Sequence, residues 1–88
     1  MKFIAFWEYD PANMKQLIDK FMKSKTGLKV LFEPHGIGGQ HKGFTIFEAD
    51  SIDEIINYTV YYTPELDFKI YPIASSADSS KKWLESQK

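Results

Sequence analysis

Residues 29–49, KVLFEPHGIGGQHKGFTIFEA, read as two strands joined by a glycine-rich turn. Lys29 to Ile37 and Lys42 to Ala49 are rich in β-branched and aromatic residues. Gly38-Gly39-Gln40-His41 between them supplies the turn of an antiparallel hairpin. What flanks this hairpin fixes the fold. Upstream, Lys2 to Glu8 reads as a strand whose apolar residues Phe3, Ile4, Phe6 and Trp7 do not alternate with polar ones, so it asks for cover on both faces. Asp10-Pro11 then opens a helix, because Asp10 can cap its free N–H groups and Pro11 suits its first position.

That first helix carries Met14, Leu17, Ile18, Phe21 and Met22 at the spacing of one buried face. Lys20, Lys23 and Lys25 gather at its end, where positive charge suits the helix dipole, and Gly27 terminates it. Downstream of the hairpin, Asp50-Ser51 opens a second helix, with Ser51 and Glu54 at capping-box spacing. Ile52, Ile55, Ile56, Thr59 and Val60 predict its buried stripe. Tyr58, Tyr61 and Tyr62 lie beside that stripe, and at least one of them should face the sheet. Pro64 stops the helix. Leu66 to Ala74 is a fourth strand. Ser75 or Ser76 caps a short tail helix anchored by Trp83 and Leu84.

The order βαββαβ predicts an α+β, ferredoxin-like domain spanning residues 1–88: a four-stranded antiparallel sheet with two helices on one face and a short C-terminal helix. A chain of 88 residues fits one domain with a marginal core. It contains no cysteine, which excludes disulfides, thiolate metal sites and cysteine nucleophiles. Helices on one face leave the other face of a two-sided apolar sheet bare. A second copy is the simplest cover, so a homodimer through the sheet face is expected.

Glu48-Ala49-Asp50 leads into the second helix, and Asp67-Phe68-Lys69-Ile70-Tyr71-Pro72-Ile73-Ala74-Ser75-Ser76 closes the sheet. With the element order, these residues resemble the dimeric α+β barrel superfamily, and more narrowly a small family of uncharacterised proteins within it. The resemblance implies a dimeric barrel of two paired sheets. From the range of the superfamily it implies a cofactor-free monooxygenase- or isomerase-like enzyme, or a ligand-sensing module. It carries over no catalytic residue. Many members of the small family have a tryptophan just before the last strand, where this chain has Tyr61, Tyr62 and Thr63.

Both histidines fall in the hairpin. His35, on a strand, is the candidate general acid–base group, with Tyr61 as its hydrogen-bond partner. Trp7, Glu33, His41, Phe44, Tyr58 and Tyr62 are the candidate ligand-binding residues, around a small, partly apolar molecule held between sheet and helices. The bland reading of the same hairpin is a structural turn with solvated histidines, and that of the aromatics is core packing. His35, His41 and a carboxylate such as Glu33 or Glu48 could hold a metal only if their side chains shared a face; no metal and no cofactor are assigned. The glycines join strand to strand, so they form no phosphate loop.

Lys42-Gly43-Phe44 also matches the start of the RNA-recognition signature on the third strand. Ile46 and Ala49 then stand where its further aromatics belong. The net charge of −1 argues against a nucleic-acid partner. No apolar run approaches the ~20 residues of a membrane span. With no cysteine and no signal segment, a cytoplasmic location is the expectation.

Overall fold

A computed structural model describes residues 1–24 and 27–87 of the chain. These residues form β1 (Lys2–Glu8), α1 (Met14–Met22), β2 (Lys29–Gly36), β3 (Lys42–Glu48), α2 (Ile52–Tyr62), β4 (Asp67–Ile73) and α3 (Ser76–Ser86). The four strands make one antiparallel sheet in the order β2-β3-β1-β4, the α+β ferredoxin-like arrangement expected from the sequence.

Local chemistry sets the ends of the elements. Asp10 accepts a hydrogen bond from Ala12 N at 2.8 Å, and Pro11–Asn13 form a 3-10 turn that runs into α1. Ser51 caps α2, while the Glu54 carboxylate accepts the Asp50 amide at 2.7 Å, one residue before the usual reciprocal partner. Ser75 caps α3. Gly39 takes φ +76°, which lets the β2–β3 turn close, and the Ile37 amide bonds the Lys42 carbonyl at 2.9 Å. Pro34 and Pro72 both lie on edge strands, where a missing N–H is tolerated. Of the lysines expected at the end of α1, Lys25 lies outside the described residues.

The core sits between α2 and the sheet. Phe47 is fully buried, and Ala5, Ala49, Tyr58, Tyr62 and Leu66 pack around it. Two expected helix faces differ from the sequence reading. On α2 the tyrosines turn inward: Tyr58 rests against Phe47 and Phe68, while Ile52, Ile56 and Val60 face solvent and Ile55 is half-buried. The rings of residues 58 and 62 are long enough to reach both central and edge strands, and the helix rotates to place them there. On α1 only Leu17 is buried; Met14, Ile18, Phe21 and Met22 are exposed. This helix stands off the sheet, and a cavity fills the gap.

β2 is irregular. Its register against β3 slips between Val30 and Phe32 and again between Phe32 and His35. The first bulge turns Phe32 to the face opposite Val30. Thr45, buried on β3, donates from its hydroxyl to the Phe32 carbonyl at 2.7 Å and so satisfies a polar group that the slip frees.

Candidate functional site

The sheet has two unlike faces. On the helix side, Phe3, Ala5 and Trp7 of β1 lie level with Phe47, Thr45 and Gly43 of β3. Gly43 is required there, because a Cβ would strike the Trp7 indole and the His35 carbonyl. The indole lies flat over the strand and forms one wall of a cavity of about 300 Å³. Leu17, Ile18 and Phe21 of α1, Val30 and Pro34 of β2, and Tyr58 and Tyr62 of α2 complete most of the rest. Among the described residues no charged side chain lines it.

The polar groups of this cavity are hydroxyls. Burial pushes the Tyr58 phenol well above its ordinary pKa, with the neighbouring Tyr62 phenol adding to the effect. Burial raises Tyr62 too, while the Ser24 hydroxyl works in the opposite sense. Both phenols therefore keep their protons near neutral pH.

Tyr61 does not face the cavity. Its hydroxyl donates to the Lys20 carbonyl at 2.6 Å, at the end of α1. The Lys20 ammonium in turn meets Glu65 at 2.7 Å and holds that carboxyl below the usual range. Tyr61 and Lys20 thus clasp α1 to the end of α2 and frame the cavity from outside.

His35 is on the other face. It lies level with Phe44, stacks on Phe32 at 4.5 Å between centroids, and donates from Nδ1 to the Glu33 carbonyl at 2.7 Å. The sheet separates it from Tyr61, Tyr58, Tyr62 and Trp7, so the structure does not bring the expected acid–base pair together. Phe44 is on this open face as well, and Glu33 is exposed on β2. His41 sits in the turn with its ring edge-on to Tyr9, and the Tyr9 amide bonds the His41 carbonyl at 3.0 Å. His35 and His41 therefore do not share a face. Among the described residues no three of the His, Asp and Glu side chains converge as a metal site.

The open face is an aromatic surface. Its middle rows carry Phe32, Ile46, Ile4 and Tyr71, then His35, Phe44, Phe6 and Lys69. Phe32 and Phe44 stack at 5.6 Å, and Phe6 packs edge-on to Tyr71 at 6.3 Å. Charges stand at the two ends of the strands: Lys29, Glu48 and Lys2 at one, Lys42, Glu8 and Asp67 at the other. Lys29 and Glu48 pair at 3.1 Å.

The sequence reading named Trp7, Tyr58 and Tyr62 but missed Leu17, Val30, Pro34 and Thr45 as part of the same site. The signal for Leu17 was present in the stripe of α1. That for Thr45 was a lone hydroxyl on an otherwise apolar strand. Among the described residues no helix is long and apolar enough to cross a membrane.

No curated protein matches the chain. A family model does match, over residues 1–87, and its description is a domain of unknown function. With nearly its whole length covered, the chain belongs to the DUF3303 family.

Proposed function

We propose that this protein is a ligand-binding homodimer. Two chains pair through their open sheet faces, and each holds a small, neutral, largely apolar molecule in the cavity between α1 and the sheet. The observation that carries this reading is the division between the faces. One side of the strands lines a half-open, largely apolar cavity of about 300 Å³. The other side presents a contiguous aromatic surface that none of the described residues covers.

The pairing follows from elementary costs. Phe6, Phe32 and Tyr71 are all more than two-fifths exposed. Fully burying such a side chain is worth roughly 1.5–3 kcal/mol, so covering the half still exposed is worth about 1 kcal/mol each, and a surface of several favours association. A two-fold axis is the natural operator, because it sets the patch against itself. The end rows mix both signs of charge, so two copies can meet without opposing like to like.

The reading is of binding rather than catalysis. The acid–base group nearest in sequence terms, His35, belongs to the pairing surface. The cavity phenols donate hydrogen bonds to a ligand carbonyl or ether oxygen but hold their protons. The described lining, apolar apart from hydroxyls and the Trp7 indole, favours a neutral ligand over carboxylates and amines, which would lose their hydration there.

Titration with the neutral fluorophore N-phenyl-1-naphthylamine tests this. The expected result is one saturable site per chain, weakened at least tenfold by Leu17→Trp, which narrows the cavity, and kept by Phe44→Asp on the open face. Binding that survives Leu17→Trp and disappears with Phe44→Asp would put the ligand on the wrong face and end the proposal.

A further inference from the structure

The glycines of the β2–β3 hairpin are not alike. Gly39 has the positive φ that its turn needs. Gly36 and Gly38 have open space where a Cβ would stand. Gly43 has none: a Cβ there would meet Cζ2 and Cη2 of the Trp7 indole and the His35 carbonyl oxygen. Trp7 is its partner in the β1–β3 register, so the bare Cα of Gly43 lets the far edge of the indole settle against β3. Tyr9, two residues further along the chain, stacks on the indole with 6.1 Å between centroids and 23° between planes. The Tyr9 amide donates to the His41 carbonyl at 3.0 Å, and the His41 ring stands edge-on to Tyr9 at 5.6 Å. Both Trp7 and Tyr9 line the cavity. The hairpin therefore holds this wall in place, Trp7 through Gly43 and Tyr9 through His41.

We propose that Trp7 and Gly43 set the size of molecule the cavity admits, with Gly43 as a positioning residue that acts through the indole. This rests on the reading of the cavity as a binding site and names the pair of positions that decides what fits. The other walls have little freedom. Leu17, Phe47, Tyr58 and Tyr62 are buried and packed from behind, and a close-packed interior yields only with strain. Trp7 is the bulkiest side chain of the lining and is only half-buried. Its place depends on the one close approach at Gly43. Any side chain at position 43 would lift the indole off the strand and into the space under α1. A smaller side chain at position 7 would add the volume of the lost ring to the cavity. Neutral molecules are therefore sorted by bulk at this wall, and position 43 controls the outcome without touching the ligand.

Paired titrations of the full chain with N-phenyl-1-naphthylamine and the larger neutral dye Nile red test this, counting only the binding that Leu17→Trp weakens. The readout is the ratio of the two dissociation constants. One methylene more or less in an apolar pocket changes discrimination by about 10–200-fold, so removing most of an indole should be plain. In Trp7→Leu the ratio should move at least tenfold in favour of Nile red. Trp7→Phe, a smaller step, should move it the same way by less. Gly43→Ala, assayed where its far-UV circular dichroism matches the unmodified chain, should move it the other way. Adding Trp7→Leu to Gly43→Ala should bring the ratio back towards that of the unmodified chain. Loss of stability alone would weaken both dyes alike and leave the ratio where it was. A ratio unchanged in Trp7→Leu, with both dyes still bound in the cavity, would overturn the role of this pair and leave the binding site standing. A chain that neither dye saturates would overturn the binding reading and this one with it.

Discussion

Phe44 and Phe47 stand three residues apart on β3 and point to opposite sides of the sheet. Phe47 is fully buried, under Tyr58 and beside Phe3. Phe44 lies in the open aromatic row with Phe6, Phe32 and His35. The two rings are the same chemistry on the same strand. The difference shows that burial within the chain accounts for only half of this sheet. The helix-covered face stabilises the monomer and encloses a cavity. The bare face carries comparable apolar material whose stabilisation is realised only when something covers it.

Substitutions on the two faces should therefore differ in cost. Phe47→Ala should cost about 3–5 kcal/mol of folding stability in urea titrations at any protein concentration. Phe44→Ala, measured on dilute protein, should cost clearly less, about 1–2 kcal/mol, because Phe44 is only half-buried within one chain. Equal costs would mean that the two faces are not distinct. Gly43→Ala comes next, at about 3 kcal/mol, because its methyl meets a backbone carbonyl as well as the Trp7 ring and neither can yield freely. Phe44→Asp should weaken pairing at least a hundredfold, about 2.8 kcal/mol, with far-UV circular dichroism unchanged.

The smallest expected effect is on pH dependence, and it belongs to the covered face. The folded-state pKa of Tyr58 is raised above its ordinary value of 10. The folded chain therefore holds a proton that the unfolded chain gives up, and stability is complete below pH 10 and falls as pH rises beyond it. The loss is at most about 1.4 kcal/mol per pH unit for one group. Tyr58→Phe should flatten the alkaline limb of the stability profile. An alkaline limb unchanged in Tyr58→Phe would show that this phenol is not its source.

Much of the fold was legible because its punctuation is chemical. Asp10-Pro11, Ser51, Pro64 and Ser75 set the helix ends, and each strand boundary agrees with the reading to within one residue. What was not legible depends on side-chain direction. Ile52, Ile56 and Val60 form a respectable stripe by spacing, yet α2 buries Tyr58 and Tyr62, because ring size decided which stripe faced Phe47 and Phe68. Periodicity counts apolar residues and does not weigh their reach. The bulges of β2 hid the site in a similar way. Strict alternation from Val30 puts Phe32 on the helix side, and the slip at Leu31 turns it out to the open face. His35 was placed correctly on a strand, but which side it faced depended on a register that the glycine-rich turn does not specify. Tyr61 gave no sign that a backbone carbonyl of α1, rather than a ligand, would take its hydroxyl.

Sedimentation equilibrium of the unmodified chain at micromolar concentration measures most directly whether the bare face pairs two chains. The expected mass is twice the 10.2 kDa of one chain, falling to one chain in Phe44→Asp. A mass of 10.2 kDa for the unmodified protein across that range would show that the bare face does not pair two chains.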